Sequence, residues 1–168
     1  RRMMDYARDR GLARVLVINR IDTECNLSAL VEELREEFGT ECLPINLPSG
    51  NASAVADCFF KPDGDSDFSS VAEAHQRIID QVVEINETVM DHYLDLGEGG
   101  LKGSELHDAF EQCLREGHLV PICFVSARTG AGVSELLNLI ERLLPNPREG
   151  NPPPFVKGSG SQAQPITA

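Results

Sequence analysis

The stretch that most constrains this chain is Arg14-Val15-Leu16-Val17-Ile18-Asn19-Arg20-Ile21-Asp22. Val15 to Ile18 are successive apolar residues, β-branched at Val15, Val17 and Ile18. A run with no polar alternation suits a parallel strand covered on both faces, and therefore an α/β sheet rather than a half-solvated antiparallel one. The apolar run stops abruptly at Asn19-Arg20-Ile21-Asp22. In open α/β sheets the loops after the carboxyl ends of the strands collect the ligand contacts, so chemistry is expected there.

The residue types at that point suit a guanine. A fixed Asp22 carboxylate can accept from both N1–H and N2–H of that base, an edge that adenine lacks. The Asn19 amide can bond N7 and tie neighbouring loops together. Arg20 can lay its stem or its guanidinium plane on the purine face. A second strand, Cys123-Phe124-Val125, ends in Ser126-Ala127-Arg128. If the two strands are adjacent and parallel, both loops fall at one edge of the sheet.

Asn19-Arg20-Ile21-Asp22 resembles the Asn-Lys-x-Asp guanine-specificity motif of translational GTPases, and Ser126-Ala127-Arg128 resembles the Ser-Ala-Lys or Ser-Ala-x motif of the same family. The two lie roughly a hundred residues apart, a separation that an inserted subdomain produces, and translation elongation factor G carries one there. Glu87 to Leu94, Gly117 to Pro121, Gly130 to Val133 and Leu143-Leu144-Pro145-Asn146-Pro147 add ordered matches, so the resemblance covers residues 1 to 157. It implies a partial P-loop GTPase domain of the α/β class, with parallel core strands, flanking helices and a small α+β insertion. Residues 1–40 would be the carboxyl-terminal part of the GTPase core, 41–117 a shortened inserted subdomain, 118–146 the last core strand and helix, and 147–168 a linker toward a following domain. In that family the backbone N–H at the position of Ala127 donates to guanine O6, and the resemblance makes Asn19, Arg20, Asp22, Ser126, Ala127 and Arg128 the residues that bind GTP or GDP. Arg20 departs from the usual Lys. It keeps the stacking surface and changes the contact that a Lys ammonium makes with the phosphate loop.

The catalytic half is missing from the sequence. No Gly-x-x-x-x-Gly-Lys-Ser/Thr loop occurs to cradle phosphates and help hold magnesium, and no Asp-x-x-Gly switch precedes Asn19. The nearest candidate, Gly97 to Gly103, has Lys102 between Leu101 and Gly103, and reads as a turn between helices. Whether the chain alone is an enzyme is thus left open, and triphosphate hydrolysis is assigned to an intact parent, with Mg2+ bound only there. Resemblance implies that the parent couples GTP hydrolysis to ribosomal translocation or recycling in the cytoplasm, with the inserted subdomain meeting the ribosomal stalk protein. A release factor of the GTPase class, a ribosomal protection protein, and a non-catalytic acidic module that binds ribosomes or proteins remain as alternatives.

The formal net charge of −12 argues against direct nucleic-acid binding by this segment, since phosphate contacts need clustered Lys and Arg. Five cysteines without a Cys-x-x-Cys pair read as reduced, packed thiols rather than a zinc site or a disulfide framework. Asp63, Asp65 and Asp67 alternate like the start of an EF-hand loop, but Phe68 stands where Gly is required and Ala74 where Glu is required, leaving a surface turn. His75, His92, His107 and His118 show no metal-ligand spacing and read as structural. No stretch approaches the ~20 apolar residues of a membrane span.

Along the chain, residues 1–10 read as the tail of a helix closed by Gly11, as in the middle of a longer protein, and Leu27 to Phe38 as an amphipathic helix ended by Gly39. Cys42 to Leu47 and Ala54 to Phe60 read as an antiparallel strand pair around Pro48-Ser49-Gly50-Asn51. Val71 to Tyr93 traces one face of a single long helix. A further helix around Leu106 to Leu114 has Ser104 as its expected N-cap and stops near Gly117. Leu119 to Val125 is the second core strand, with Pro121 near its entrance, and Val133 to Leu144 is a helix ended by Pro145. Pro152-Pro153-Pro154 and Gly158 to Ser161 mark the linker.

Overall fold

The computed structural model describes residues 1–97, 103–146, 150, 156–157 and 164–165. Its elements run α1 (Arg2–Asp9), β1 (Leu16–Ile18), α2 (Leu27–Phe38), β2 (Cys42–Pro44), β3 (Asn46–Ser49) and β4 (Ala54–Asp57). They continue as α3 (Val71–Val83), α4 (Glu87–Leu96), α5 (Gly103–Glu116), β5 (Val120–Phe124), α6 (Val133–Arg142), β6 (Val156–Lys157) and β7 (Gln164–Pro165).

A parallel sheet in the order β1-β5-β2 forms the centre, with Leu16 opposite Ile122 and Pro44 also opposite Ile122 from the other side. Every residue of β5 is buried, so β5 is the strand covered on both faces. β1 lies at the sheet edge and leaves Val17 half exposed, a difference from the covering expected for both of its faces. Pro121 occupies the second position of the central strand without breaking a ladder. Its nitrogen faces the same edge as Val125, toward β1, and β1 pairs only from Ile122 onward.

The run from Cys42 to Leu47 is two strands, not one. Ile45 N–H donates to Ile122 O at 2.9 Å, ending the core ladder, while Ile45 O accepts from Cys58 N–H at 2.9 Å. The chain then leaves the core sheet, and β3 pairs antiparallel with β4, from Asn46 opposite Asp57 to Ser49 opposite Ala54. Burial is nearly continuous through the change of partner, so periodicity hides it. Pro48 and Ser49 belong to the strand, and the turn lies at Gly50, Asn51 and Ala52, whose φ angles are 60°, 56° and 57°. Two consecutive non-glycine residues in the left-handed region need support. The Asp67 carboxylate supplies it, accepting from Asn51 N–H at 3.0 Å and Ala52 N–H at 2.7 Å.

The long helix expected over Val71 to Tyr93 is broken into α3 and α4. Asn86 is the cause: its side chain accepts from Thr88 N–H at 3.1 Å and Val89 N–H at 3.2 Å, starting a new helix where the apolar stripe continues. α5 already includes Ser104, so that residue is not its N-cap. α2 has the expected bounds, with Asn26 capping Ala29 N–H at 3.0 Å and Gly39 at φ 113° closing it. Ile78, Ile79 and Val82 of α3 pack with Phe110 and Leu114 of α5 and with β5 in one core. Each such side chain stabilises the fold by ~1.5–3 kcal/mol on full burial. Among the residues expected to form the linker, Val156–Lys157 pairs antiparallel with Gln164–Pro165, whereas Pro152 to Pro154, Gly158 to Ser161 and the glycine-rich turn at 98–102 lie outside the described residues.

Candidate nucleotide-base site

The two loops singled out in the sequence emerge side by side from β1 and β5. Val125 N–H donates to Ile18 O at 2.9 Å and Ile21 N–H to Val125 O at 3.2 Å, so the strand pairing runs on into both loops. Ile21 is buried and anchors the first loop, while Arg20 stands at φ 66°. Asn19 holds that unusual backbone, its Oδ1 accepting from Arg20 N–H at 2.8 Å, and Arg20 O accepts from the Thr23 hydroxyl at 2.8 Å.

The same Asn19 Oδ1 accepts from Ala127 N–H at 3.0 Å, the loop-tying contact expected of an Asn there. Asp22 makes the second tie. One carboxylate oxygen accepts from the Ser126 hydroxyl, and the other from the Arg128 guanidinium, with Nε at 2.8 Å. The Ser126 hydroxyl, followed by the Arg128 hydrogen bond, holds the Asp22 carboxyl below its ordinary value, against the opposing effect of desolvation. The six candidate residues thus fall into two hydrogen-bonded sets, Asn19 with the N–H groups of Arg20 and Ala127, and Asp22 with Ser126 and Arg128, which the Ser126–Ala127 peptide links. The exposed side chain of Arg20 makes no hydrogen bond or ion pair among the described residues.

The second loop is a tight turn built on Ser126, which is fully buried. Its N–H donates to Ala131 O at 2.8 Å, its carbonyl accepts from Gly130 N–H at 2.8 Å, and its hydroxyl accepts from Thr129 N–H at 3.2 Å. Gly132 closes the turn at φ 72°, and a Cβ there would stand 2.1 Å from Phe124 O. α6 can start this close to β5 only because the residue has no side chain. On the far side of Asp22 a cleft of about 450 Å³ separates its loop from the β3–β4 hairpin, with Cys25, Asn51, Asp67 and Phe68 among its walls.

Sequence reasoning passed over Asn46. Fully buried, it accepts from Phe124 N–H at 2.8 Å and donates to Phe124 O at 3.1 Å, two residues before Ser126. The available signal was a lone amide in the apolar run Cys42-Leu43-Pro44-Ile45-Asn46-Leu47. The four histidines make structural contacts: buried His75 Nδ1 lies 2.8 Å from Cys58 O, and His107 Nε2 lies 2.6 Å from Arg142 O. His92 lies beside Glu105, and His118 beside Glu116. Asp67 serves the hairpin backbone rather than a cation, and among the described residues no group of three or more His, Cys, Asp or Glu side chains could hold a metal. No helix among the described residues is long and apolar enough to cross a membrane.

A parallel α/β sheet whose adjacent loops carry Asn-Arg-Ile-Asp and Ser-Ala-Arg is the framework of a GTP-binding domain, and residues 1–146 match the family of the elongation factor Tu GTP-binding domain, to which the chain belongs. Within that family its likeness is to translation elongation factor G-like GTPases. An elongation factor G-like protein of Mycobacterium tuberculosis is 29% identical over 153 residues, covering 83% of this chain and 21% of the relative. Elongation factor G 1 of Synechocystis is 27% identical over 176 residues, covering 94% of this chain and 25% of the relative. A crystal structure of a Thermus thermophilus protein superposes with a TM-score of 0.73 at 29% identity, covering 88% of this chain and 24% of that one. The chain spans about a fifth to a quarter of the length of these relatives.

Proposed function

We propose that Asn19, Arg20, Asp22, Ser126, Ala127 and Arg128 form the guanine-recognition half of a GTP/GDP site. The observation that carries this reading is the convergence of the Asp22 carboxylate, the Asn19 amide and the Ala127 N–H, joined by hydrogen bonds across the two loops. Guanine offers adjacent N1–H and N2–H donors and an O6 acceptor, and these call for a carboxylate beside an N–H donor. To bind, the base exchanges with groups already in place: its donors take over Asp22 from Arg128, and O6 takes the Ala127 N–H now held by Asn19. The carboxylate gives up a cationic donor for two neutral N–H donors, and the exposed Arg128 guanidinium passes to water. Adenine presents no such pair of donors and would leave the carboxylate unpaired, which is how a polar site rejects an analogue. Arg20, exposed at the lip, stacks on the purine face.

For the whole protein we propose GTP hydrolysis coupled to ribosomal translocation or recycling in the cytoplasm. In this assignment residues 1–40 and 118–146 belong to the GTPase core, 41–117 are a shortened inserted subdomain that meets the ribosomal stalk protein, and 147–168 lead to a following domain. Magnesium belongs with the phosphates of the nucleotide, and no residue described here is assigned to it. The test is Asp22→Asn in the full-length protein, read as affinity for GDP against xanthosine diphosphate. A hydrogen bond to a charged group contributes ~1.5–3 kcal/mol, so GDP should weaken roughly ten- to a hundredfold while the xanthine nucleotide gains. Unchanged selectivity removes Asp22 from the site.

A further inference from the structure

We infer that Asn46 is a positioning residue for the Ser126–Arg128 loop, its amide standing in for a strand at the point where the core sheet loses one. The role as a base site rests on the reading above; the positioning itself does not.

Along β5, Val120 N–H faces the β2 edge and donates to Glu41 O at 2.9 Å. Parallel strands alternate their donors between edges, so Ile122 and Phe124 face the same way. β2 ends at Pro44, and Ile45 supplies the last backbone bond, to Ile122 O. From there the chain departs into the β3–β4 hairpin, and Phe124 would meet no backbone on that edge. The Asn46 amide reaches back instead, and its Oδ1 and Nδ2 take the N–H and the C=O of Phe124. The opposite edge is held by β1, through Val125 N–H to Ile18 O. The end of β5 is therefore clamped on both sides immediately before Ser126.

Two further features converge on Phe124: Gly132 lets the start of α6 approach its carbonyl closely, and the ring of Phe68 packs edge-on at 5.8 Å between centroids. Asn46 itself sits in a strand whose hairpin tip flanks the cleft beside Asp22. The hairpin thus faces the Asp22 loop across the cleft, and through Asn46 it is hydrogen-bonded to the strand that carries the second loop. An ionised Asp would offer the acceptor without the donor and add a buried charge, and Ala offers neither.

The experiment is amide hydrogen exchange on the full-length protein with Asn46→Ala and Asn46→Asp, beside Val82→Ala, a core truncation in α3 matched to them by thermal midpoint, and GDP affinity on the same samples. The expected result is exchange at residues 125–130 roughly five- to a hundredfold faster in Asn46→Ala, which loses both hydrogen bonds to Phe124, with Asn46→Asp accelerated as well. Val82→Ala should leave those amides near wild type. If Asn46→Ala does not fold, Asn46→Asp against Val82→Ala decides by the same criterion. Equal acceleration in the Asn46 variants and Val82→Ala would reduce Asn46 to a generic core residue and overturn the inference. Selective acceleration with GDP affinity unchanged would uphold the positioning role and overturn the base-site reading.

Discussion

Gly132 is the sharpest point at which the structure commits itself to a number. A Cβ added there would lie 2.1 Å from Phe124 O and 3.2 Å from Val125 Cα. Ordinary carbon–oxygen contacts begin near roughly 3.3 Å, so Gly132→Ala has to move the start of α6 away from β5 by about an ångström. That displacement is overpacking, at ~1–3 kcal/mol. The left-handed φ of 72° adds ~1–2 kcal/mol for any L side chain. Lower chain entropy in the unfolded state returns ~0.4–1 kcal/mol. The net loss is ~1.5–4 kcal/mol. Gly130 is the internal control, because it has φ 86° but nothing within 4 Å of its missing Cβ. Gly130→Ala carries the backbone cost without the collision, a loss of ~0.5–1.5 kcal/mol by the same reasoning. In urea titrations at ordinary slopes, the Gly132 variant should unfold at a midpoint lower than the Gly130 variant by roughly 0.5–1.5 M. Coincident midpoints would mean that α6 does not approach Phe124 this closely and that the Ser126 turn is not tightly built.

Alkylation should distinguish the cysteines. Burial pushes the thiols of Cys58, Cys113 and Cys123 up to about 12 and that of Cys42 up to about 11, whereas Cys25 is exposed at the cleft, so iodoacetamide at pH 8 should add one label to native protein and five after unfolding, read by intact mass. The lowered Asp22 carboxyl makes a contribution that is present above its unfolded value of ~3.9 and is lost as pH falls through the folded one. The thermal midpoints of wild type and Asp22→Asn should therefore keep a constant gap down to about pH 4 and converge only below it, and a gap that persists unchanged at lower pH would show that Asp22 is not held ionised by Ser126 and Arg128.

What was legible in the sequence is what local rules decide. α2 has the expected limits because Asn26, its apolar stripe and Gly39 all act within one helix. Asn19, Arg20 and Asp22 were singled out because loops after parallel strands are where ligand groups collect, Ser126, Ala127 and Arg128 by their resemblance to a family motif, and the pairing of β1 with β5 brings the two loops side by side. What escaped depends on partners distant in the chain. Cys42 to Leu47 has one continuous apolar character, and only the presence of β5 on one side and β4 on the other divides it at Ile45. The break at Glu84 to Asn86 was written locally, in the capping side chain of Asn86, but a stripe running through it outweighed one polar residue in the reading. Asn46 combines both difficulties. Its position in an apolar run marks it as unusual, yet its meaning appears only when Phe124, 78 positions away, is found to have lost its strand partner. A buried amide in a strand that is about to leave its sheet is thus a question addressed to the neighbouring strand, and here the neighbour carries the loop that completes the candidate site.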